Sequence, residues 1–209
     1  PGDKLELSYT TPFIFNASPE KQLIIVPVPN EIWAINPENG KLAWFAETSL
    51  NGNISPTIAA KDNLLFCFGG FPQTKAVALK AEGKGDLSKN IVWTSTDSSY
   101  VPSPVVKGEH LYWINDRGLA YCAEAATGKI IYKERLPLKS SGGAARPVYA
   151  SMILVHDKLI AVTRQEGTFV LDASPTFKLI SHNKIADEGD FNASPAISEG
   201  KLFLRSDKC

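Results

Sequence analysis

Short apolar runs recur along the chain and are separated by polar or glycine-rich turns. The copy that begins at Ser103 contains four such runs, PSPVV, LYWIN, LAYCAEA and IIYKERL, which are joined by KGEH, DRG and ATGK. β-Branched and aromatic residues dominate the runs, while Gly, Asp and Asn bound them. This pattern predicts a four-stranded antiparallel meander.

Both faces of the predicted strands are apolar. In LYWIN, Leu111 and Trp113 lie on one face, and Tyr112 and Ile114 lie on the other. Strands of this kind are covered on both sides, which fits sheets packed face to face around an axis better than a sandwich with one solvated face. No stretch has the periodicity of a long amphipathic helix.

The meander is repeated along the chain. Ser/Thr-Pro steps lead into an apolar run at four places: TPFIF from Thr11, SPTIA from Ser55, SPVV from Ser103 and SPAI from Ser194. The first three prolines of these steps are 44 and 48 residues apart, and the fourth follows after 91, which leaves room for a copy whose proline is replaced by Met152. A period of about 45 residues with four strands per unit predicts a β-propeller.

Composition and charge exclude two classes of partner. The 209 residues are 44% hydrophobic, enough to bury a full core, and 22 basic side chains balance 22 acidic ones. Without a basic field, the phosphate contacts that dominate nucleic-acid binding are not available, so we expect no nucleic-acid partner. The longest apolar runs are strand-sized and far below the ~18 residues of a spanning helix, so we expect no transmembrane segment.

The residue types that carry most catalytic and metal chemistry are scattered. Cys67, Cys122 and Cys209 lie far apart with no C-x-x-C spacing, and the three histidines are isolated. The chain has neither a phosphate-binding glycine loop nor a G-x-S-x-G nucleophile elbow. Cys67 and Cys122 lie in apolar runs and are predicted to be buried free thiols. We therefore predict no catalytic residues and no metal site.

One turn carries a family resemblance. AINPENGKLAW, from Ala34 to Trp44, resembles the PQQ-type (quinoprotein-like) propeller repeat, whose pattern is A-x-D/N-x-x-T/N-G-x-x-x-W. In that family the tryptophan docks against a neighbouring blade near the glycine peptide. The resemblance assigns such docking turns to five residues: Gly40, Trp44, Trp93, Gly128 and Tyr132. The copy from Val170 keeps Asp172 but has lost both the glycine and the tryptophan.

The resemblance implies a propeller of seven or eight blades, of which this chain contains about four and a half. We expect a single domain or a fragment of one, with approximate blades at 11–48, 49–98, 99–139, 140–186 and an incomplete 187–209. The segment KLELSY at residues 4–9 is predicted as one outer strand of a preceding unit. At least one sheet edge is expected to be unfinished and to be covered by a partner or by missing blades.

Two functions remain open from the resemblance. Enzymes with this repeat bind pyrroloquinoline quinone (PQQ) and Ca²⁺, often under a disulfide between adjacent cysteines, and an Asp acts as general base. Cell-envelope propellers, including the barrel-assembly-machinery lipoprotein family, use the repeat without a cofactor to bind proteins. We expect the second: a non-catalytic scaffold without cofactor that binds protein or ligand and is periplasmic, outer-membrane-associated or secreted. The alternative is part of a PQQ- and calcium-dependent alcohol or sugar dehydrogenase.

A binding surface is predicted on the connections from the outermost strand of one blade to the innermost strand of the next. These connections are polar or glycine-rich: TSLNGN, TDSSY, KSSGGAAR and ADEGDFN. The candidate rim residues are Asn51, Asp97, Tyr100, Arg146, Asp187, Glu188 and Asp190. Ordinary solvated loop polarity explains the same residues and is the preferred interpretation. The acidic run near Asp187 lacks the ligand spacing of an EF-hand, so no calcium site is assigned to it.

Overall fold

The computed structural model describes residues 2–18, 20–139, 146–187 and 189–208. Its contacts divide into two compact units. The first unit comprises Pro1–Tyr100 with Ala126–Gly128, and the second comprises Val101–Ala125 with Lys129–Cys209. Each unit is built of antiparallel meanders, and the regular structure apart from the strands consists of two 3-10 segments in the described ranges. The prediction of an all-β chain is confirmed.

The first sheet of the first unit is a four-strand meander with one addition. Its strands in chain order are β1 (Phe13–Ser18), β2 (Lys21–Val28), β3 (Glu31–Ile35) and β4 (Leu42–Glu47). One row of cross-strand partners runs from Ile25 to Ala34 and on to Trp44. All three side chains are buried, because apolar residues occupy both faces of the inner strands.

The second sheet of this unit has the same order. Its strands are β5 (Ala59–Lys61), β6 (Leu64–Gly69), β7 (Lys75–Lys80) and β9 (Ile91–Ser95). The two sheets share one core, in which Trp44 of the first sheet packs with Leu65 and Val77 of the second. Burial of these branched and aromatic side chains is the main stabilising term of the unit.

An insertion in the second sheet adds a strand to the first. Residues between β7 and β9 form β8 (Gly85–Asp86), which pairs in parallel with β4, and then the 3-10 segment Ser88–Asn90. The Leu87 amide donates to the Phe45 carbonyl at 2.7 Å. The repeat pattern did not predict this fifth strand.

The second unit contains two further four-stranded meanders and a two-stranded sheet. The third meander comprises β10 (Val105–Lys107), β11 (His110–Ile114), β12 (Leu119–Glu124) and β13 (Ile130–Arg135). The fourth comprises β14 (Ile153–Val155), β15 (Lys158–Val162), β16 (Thr168–Asp172) and β17 (Leu179–Asn183). The last sheet comprises β18 (Ala196–Ser198) and β19 (Lys201–Phe203). Met152, in the position of the missing proline, is buried in the core with Tyr112 and Phe169.

The start of the chain differs from its prediction. The segment KLELSY was predicted as an outer strand, but Gly2–Leu7 forms a 3-10 helix. Ser8 then forms a parallel bridge with Ile54, and the Tyr9 amide donates to the Ile54 carbonyl at 2.7 Å. The prediction was wrong because the backbone polar groups of this segment are satisfied by a connection before β5 rather than by the edge of an outer strand.

Candidate functional site

The turn between β3 and β4 holds Trp44 in the core of the first unit. Gly40 has a φ of +66°, and its amide donates to the Asn36 carbonyl at 2.9 Å. The Asn36 side chain in turn accepts the Glu38 amide at 2.9 Å. These bonds close the turn that leads into β4. The register shifts between the pairs Ile35–Leu42 and Ala34–Trp44, and Trp44 is only 2% exposed. Trp44 therefore serves packing.

Gly128 supports a different tryptophan. Its φ is +72°, and a β-carbon placed on it would lie 2.7 Å from Cδ2 of Trp93. The Trp93 ring also lies 5.9 Å from the ring of Phe66. Tyr132 packs with the second unit, edge-on to Phe177 at 5.6 Å, and burial raises its pKa. These aromatic side chains are part of the packing.

Four residues of the first unit form what we call the aromatic rim surface: Asn51, Asn53, Phe71 and Tyr100. Two of them, Asn51 and Tyr100, are candidates from the sequence. The rings of Phe71 and Tyr100 lie 5.0 Å apart, and Nδ2 of Asn53 donates to the Tyr100 hydroxyl at 3.3 Å. Phe71 is 44% exposed although it is a large apolar side chain. This surface combines exposed aromatic area with amide groups.

Two glycines fix the position of Phe71. The Phe71 amide donates to the Asn51 carbonyl at 3.0 Å, which ties the β6–β7 loop to the connection before β5. A β-carbon on Gly52 would lie 2.2 Å from the Phe71 carbonyl oxygen, and one on Gly70 would lie 2.4 Å from that of Gln73. Only glycine permits this approach of two backbones. The sequence analysis missed Phe71; the signal was an aromatic residue within the turn GGFPQ.

Asp97 lies on the connection that leads to Tyr100. Its amide donates to the Ser95 hydroxyl at 3.0 Å, and the hydroxyl of the buried Ser98 donates to the Lys75 carbonyl at 2.7 Å. These bonds anchor the connection to the end of the second sheet. Asp97 itself is partly exposed and precedes Tyr100 by three residues on this connection.

In the second unit, Arg146 and Asp190 each face a charged residue from a hairpin between the second and third strands of a sheet. Arg146 lies 3.4 Å from the nearly buried Asp116, and Asp190 contacts Arg164. The two pairs have the same arrangement with the charges exchanged, because the hairpin supplies the acid in one and the base in the other. Arg146 and Asp190 therefore hold connections to hairpins.

Asp187 is likewise engaged in local structure. Its carboxylate accepts the Gly189 amide at 2.7 Å and the Ser206 hydroxyl at 2.9 Å. Glu188 lies outside the described residues. Throughout the described ranges no group of three or more His, Cys, Asp and Glu side chains has the arrangement of a metal site. No helix in the same ranges has the length and apolar character needed to cross a bilayer.

The cysteines and the carboxylates of the described residues differ from the adjacent cysteines and the calcium ligands that the resemblance implies for PQQ enzymes. Cys67 and Cys122 are both buried and unpaired, and the sequence contains no adjacent cysteines. Burial raises the pKa of Cys67, and it raises that of Cys122 to about 11, so both are held as neutral thiols.

The repeated four-stranded meanders and the glycine-tryptophan turns define a β-propeller of the PQQ-type repeat. A family model described as outer membrane protein assembly factor BamB matches residues 15–134. The chain belongs to this family. No curated protein sequence matches it significantly.

Solved structures share the fold at low sequence identity. BamB from Moraxella catarrhalis superposes with a TM-score of 0.66 at 11% identity over 94% of this chain and 57% of that one. The computationally designed Ika8 protein gives 0.65 at 11% identity over 88% and 52%. Quinohemoprotein alcohol dehydrogenase from Comamonas testosteroni gives 0.61 at 13% identity over 94% and 39%. The chain thus spans about half the length of these proteins, and the likeness concerns the fold.

Proposed function

We propose that this chain is a non-catalytic β-propeller scaffold that binds protein partners at the cell envelope, in the periplasm, next to the outer membrane or in secreted form. The observation that carries the proposal is the match of residues 15–134 to a family described as an outer membrane protein assembly factor. An assembly factor acts by contact with other proteins, so the surface that presents side chains to a partner becomes the functional site.

The aromatic rim surface is the best candidate for that contact. Exposed aromatic side chains that are held rigidly lose little conformational entropy on binding and are enriched among the residues that dominate interface energies. Phe71 meets both conditions because its backbone is bonded to Asn51 and its ring lies against Tyr100. The amide side chain of Asn51 is exposed and adds hydrogen-bonding capacity beside the rings.

Site-specific photo-crosslinking tests the proposal. A photoreactive amino acid is placed at Phe71, at Tyr100 or, as a control, at Val92, which is 50% exposed on the outer strand β9. The variants are expressed in the periplasm of a Gram-negative bacterium. We expect one defined protein adduct at positions 71 and 100 and none at position 92. Adducts of equal yield at all three positions, or at none, would contradict a binding site at this surface.

A second measurement separates a scaffold from an enzyme. PQQ is titrated into the purified chain with Ca²⁺, and dye-linked oxidation of alcohols and sugars is assayed. We propose that the chain works without this cofactor, so we expect neither saturable binding nor oxidation. Saturable PQQ binding with calcium-dependent oxidation would contradict the scaffold function and support a dehydrogenase.

A further inference from the structure

A lysine of the second unit reaches from one sheet to the next. Lys107 ends β10 in the third sheet, and its Nζ donates at 2.9 Å to the carbonyl of Ala173, which follows β16 of the fourth sheet. The same Nζ lies 2.6 Å from Oδ1 of Asp157, in the hairpin before β15. This contact lowers the pKa of the Asp157 carboxyl. Two acceptors of one sheet thus hold an ammonium group that the other sheet supplies.

The first unit has two residues in the places of these acceptors. The Ala173 amide donates to the Asp157 carbonyl at 2.9 Å, and the Ala81 amide donates to the Asn63 carbonyl at 2.8 Å. Each bond connects the end of a third strand to the hairpin before the second strand of the same sheet. Ala81 and Asn63 therefore occupy in the second sheet the places of Ala173 and Asp157 in the fourth.

The first unit has no lysine in the place of Lys107. In each meander one row of cross-strand partners leads to the aromatic residue of the docking turn, Tyr132 in the third sheet and Trp44 in the first. Lys107 lies on the first strand of its sheet, two residues beyond this row, and Phe15 lies in the same way two residues beyond the row of the first sheet. Phe15 therefore stands in the place of Lys107 and has no ammonium group to offer.

A cavity of about 390 Å³ lies at this place in the first unit. Its floor is apolar and includes the buried residues Phe15, Leu23 and Ala81. The volume is within the range of small-ligand sites. An aromatic ring next to aliphatic side chains suits a cation that is carried on an alkyl stem, because the ring face attracts the charge and the aliphatic groups cover the stem.

The rim of the cavity carries more carboxylates than lysines. Asp62 and Glu82 line it together with a single lysine, Lys21. The Glu82 carboxylate accepts a hydrogen bond from Nδ2 of Asn63 and lies 2.7 Å from Nζ of Lys80, and the side chains of Glu82 and Lys80 are half exposed. The carboxylates favour a cationic ligand, whereas an anionic ligand would have to use Lys21.

We propose that this cavity binds a primary alkylammonium group, the chemistry of a lysine side chain or of a small amine, with the ammonium at Asn63 and Ala81 and the stem on Phe15. Hydrogen bonds from a charged donor and attraction to the aromatic ring provide the affinity. Asn63 precedes β6, and Phe71 of the aromatic rim surface lies beyond its other end. The two proposals therefore concern separate sites and stand or fall independently.

Titration of the complete ¹⁵N-labelled protein at pH 7, where the amine carries its proton, tests the proposal. The probes are n-butylammonium, a lysine capped as Nα-acetyl-lysine N-methylamide, and n-pentanoate as an anion of similar shape. We expect saturable shifts of the Asn63 and Gly83 amide signals with at least one cation and none with n-pentanoate. Saturation by n-butylammonium assigns the site to the amine itself, and saturation by the capped lysine alone assigns it to a side chain of a polypeptide. Saturation by neither cation, or equal saturation by n-pentanoate, would overturn the proposal.

Two variants locate the binding. Phe15→Lys supplies the cavity with an ammonium group of the chain itself, as Lys107 does in the second unit, and should weaken cation binding at least about tenfold. Glu82→Gln removes a carboxylate from the rim and should weaken it about two- to fivefold. Glu134→Gln, at an exposed position of β13, changes the net charge as Glu82→Gln does and should leave binding unchanged. If Phe15→Lys does not fold, the comparison of Glu82→Gln with Glu134→Gln decides, and equal affinities of the folded variants and the parent would overturn the proposal.

The second unit provides the reciprocal experiment. Lys107→Ala removes the ammonium group from Asp157 and Ala173. n-Butylammonium should then shift the amide signals of these two residues saturably in the variant and leave them unchanged in the parent chain. Absence of such shifts in the variant would show that acceptors in this arrangement do not hold an ammonium group, and it would overturn the proposal.

Discussion

The indole ring of Trp93 packs directly on the backbone of Gly128. A β-carbon at Gly128 would lie 2.7 Å from Cδ2 and 2.9 Å from Cε3 of that ring, closer than van der Waals contact allows. Gly40 occupies the equivalent place in the first repeat with a similar φ, but nothing lies within 4 Å of a β-carbon there. The two glycines share a backbone conformation and differ only in what they contact.

This difference gives the first prediction. Gly40→Ala should lower the free energy of unfolding by about 1 to 2 kcal/mol, the cost of a positive φ for an L-residue. Gly128→Ala should cost about 1 to 3 kcal/mol more, because the Trp93 ring must also move. Urea denaturation of both variants, followed by circular dichroism, measures the two losses. Equal losses would show that the Trp93 contact is not part of the stable packing.

Trp44 gives the second prediction. Its ring is 2% exposed in a core shared by two sheets, so Trp44→Ala should lower the free energy of unfolding by about 3 to 5 kcal/mol. Val92→Ala, on the half-exposed outer strand β9, should cost less than about 1 kcal/mol. Thermal and urea unfolding compare the two variants. A loss below 1 kcal/mol for Trp44→Ala would contradict its assignment to the core.

The charged pairs of the second unit give the third prediction. Asp116→Asn should destabilise the unit by about 1 to 3 kcal/mol, because it leaves Arg146, largely withdrawn from water, without its carboxylate. The double variant Asp116→Arg with Arg146→Asp should recover part of that loss. The pair of Arg164 and Asp190 already places the basic residue on the hairpin. A double-mutant cycle measures the coupling.

An exposed pair provides the control for this cycle. Lys129 lies 3.8 Å from Glu124, and both side chains are well exposed. Lys129→Gln should change the stability by less than about 1 kcal/mol, in line with other surface ion pairs. If the Asp116 and Arg146 cycle gives a coupling no larger than this, the pair does not hold the connection to the hairpin.

The buried thiols give the fourth prediction, a loss of stability at alkaline pH. Burial raises the pKa of Cys122 to about 11 and raises that of Cys67 as well. An unfolded thiol ionises near pH 8.5, so above that pH the unfolded chain binds fewer protons than the folded one, and stability falls as pH rises. Each thiol contributes a slope of at most about 1.4 kcal/mol per pH unit, and this slope ends at its folded pKa.

The measurement is the free energy of unfolding from pH 8 to pH 11 for the parent chain and for Cys122→Ala. The variant should start from a lower stability, because a methyl replaces the thiol, and should show a shallower decline. The same thiols should react with a disulfide reagent at pH 8 only as fast as the chain opens. Parallel pH profiles for the two proteins would contradict a thiol held neutral by burial.

The strands could be predicted because several features of each repeat indicate the same structure. Apolar runs on both faces, glycine turns and the Ser/Thr-Pro steps all indicate a four-stranded meander, and four such sheets plus a two-stranded one are present. The fifth strand, β8, was not predicted. It lies in an insertion, and the sequence does not indicate that this insertion packs beside β4 and pairs with it in parallel. The prediction for the first segment was wrong for a related reason: the hydrogen-bond partner of that segment, Ile54, is distant in the sequence.

The candidate site was less predictable than the fold. The sequence identified polar connections, and in the structure Asn51 and Tyr100 do flank an exposed surface. Its central residue, Phe71, lies on a hairpin loop instead, and only the glycine contacts that bring two backbones together reveal its position. The sequence analysis also missed the hairpin residues Asp116 and Arg164. A charged residue in a turn does not indicate which connection its side chain will contact.

The affinity of the protein crosslinked at Phe71 tests the central claim most directly. That partner is purified and titrated against the parent chain, Phe71→Ser and the matched surface variant Val92→Ser. If the aromatic rim surface is a protein-binding site, Phe71→Ser should weaken binding at least about tenfold, as the loss of a central aromatic contact does, while Val92→Ser leaves binding unchanged. Equal affinities for all three proteins would contradict the account.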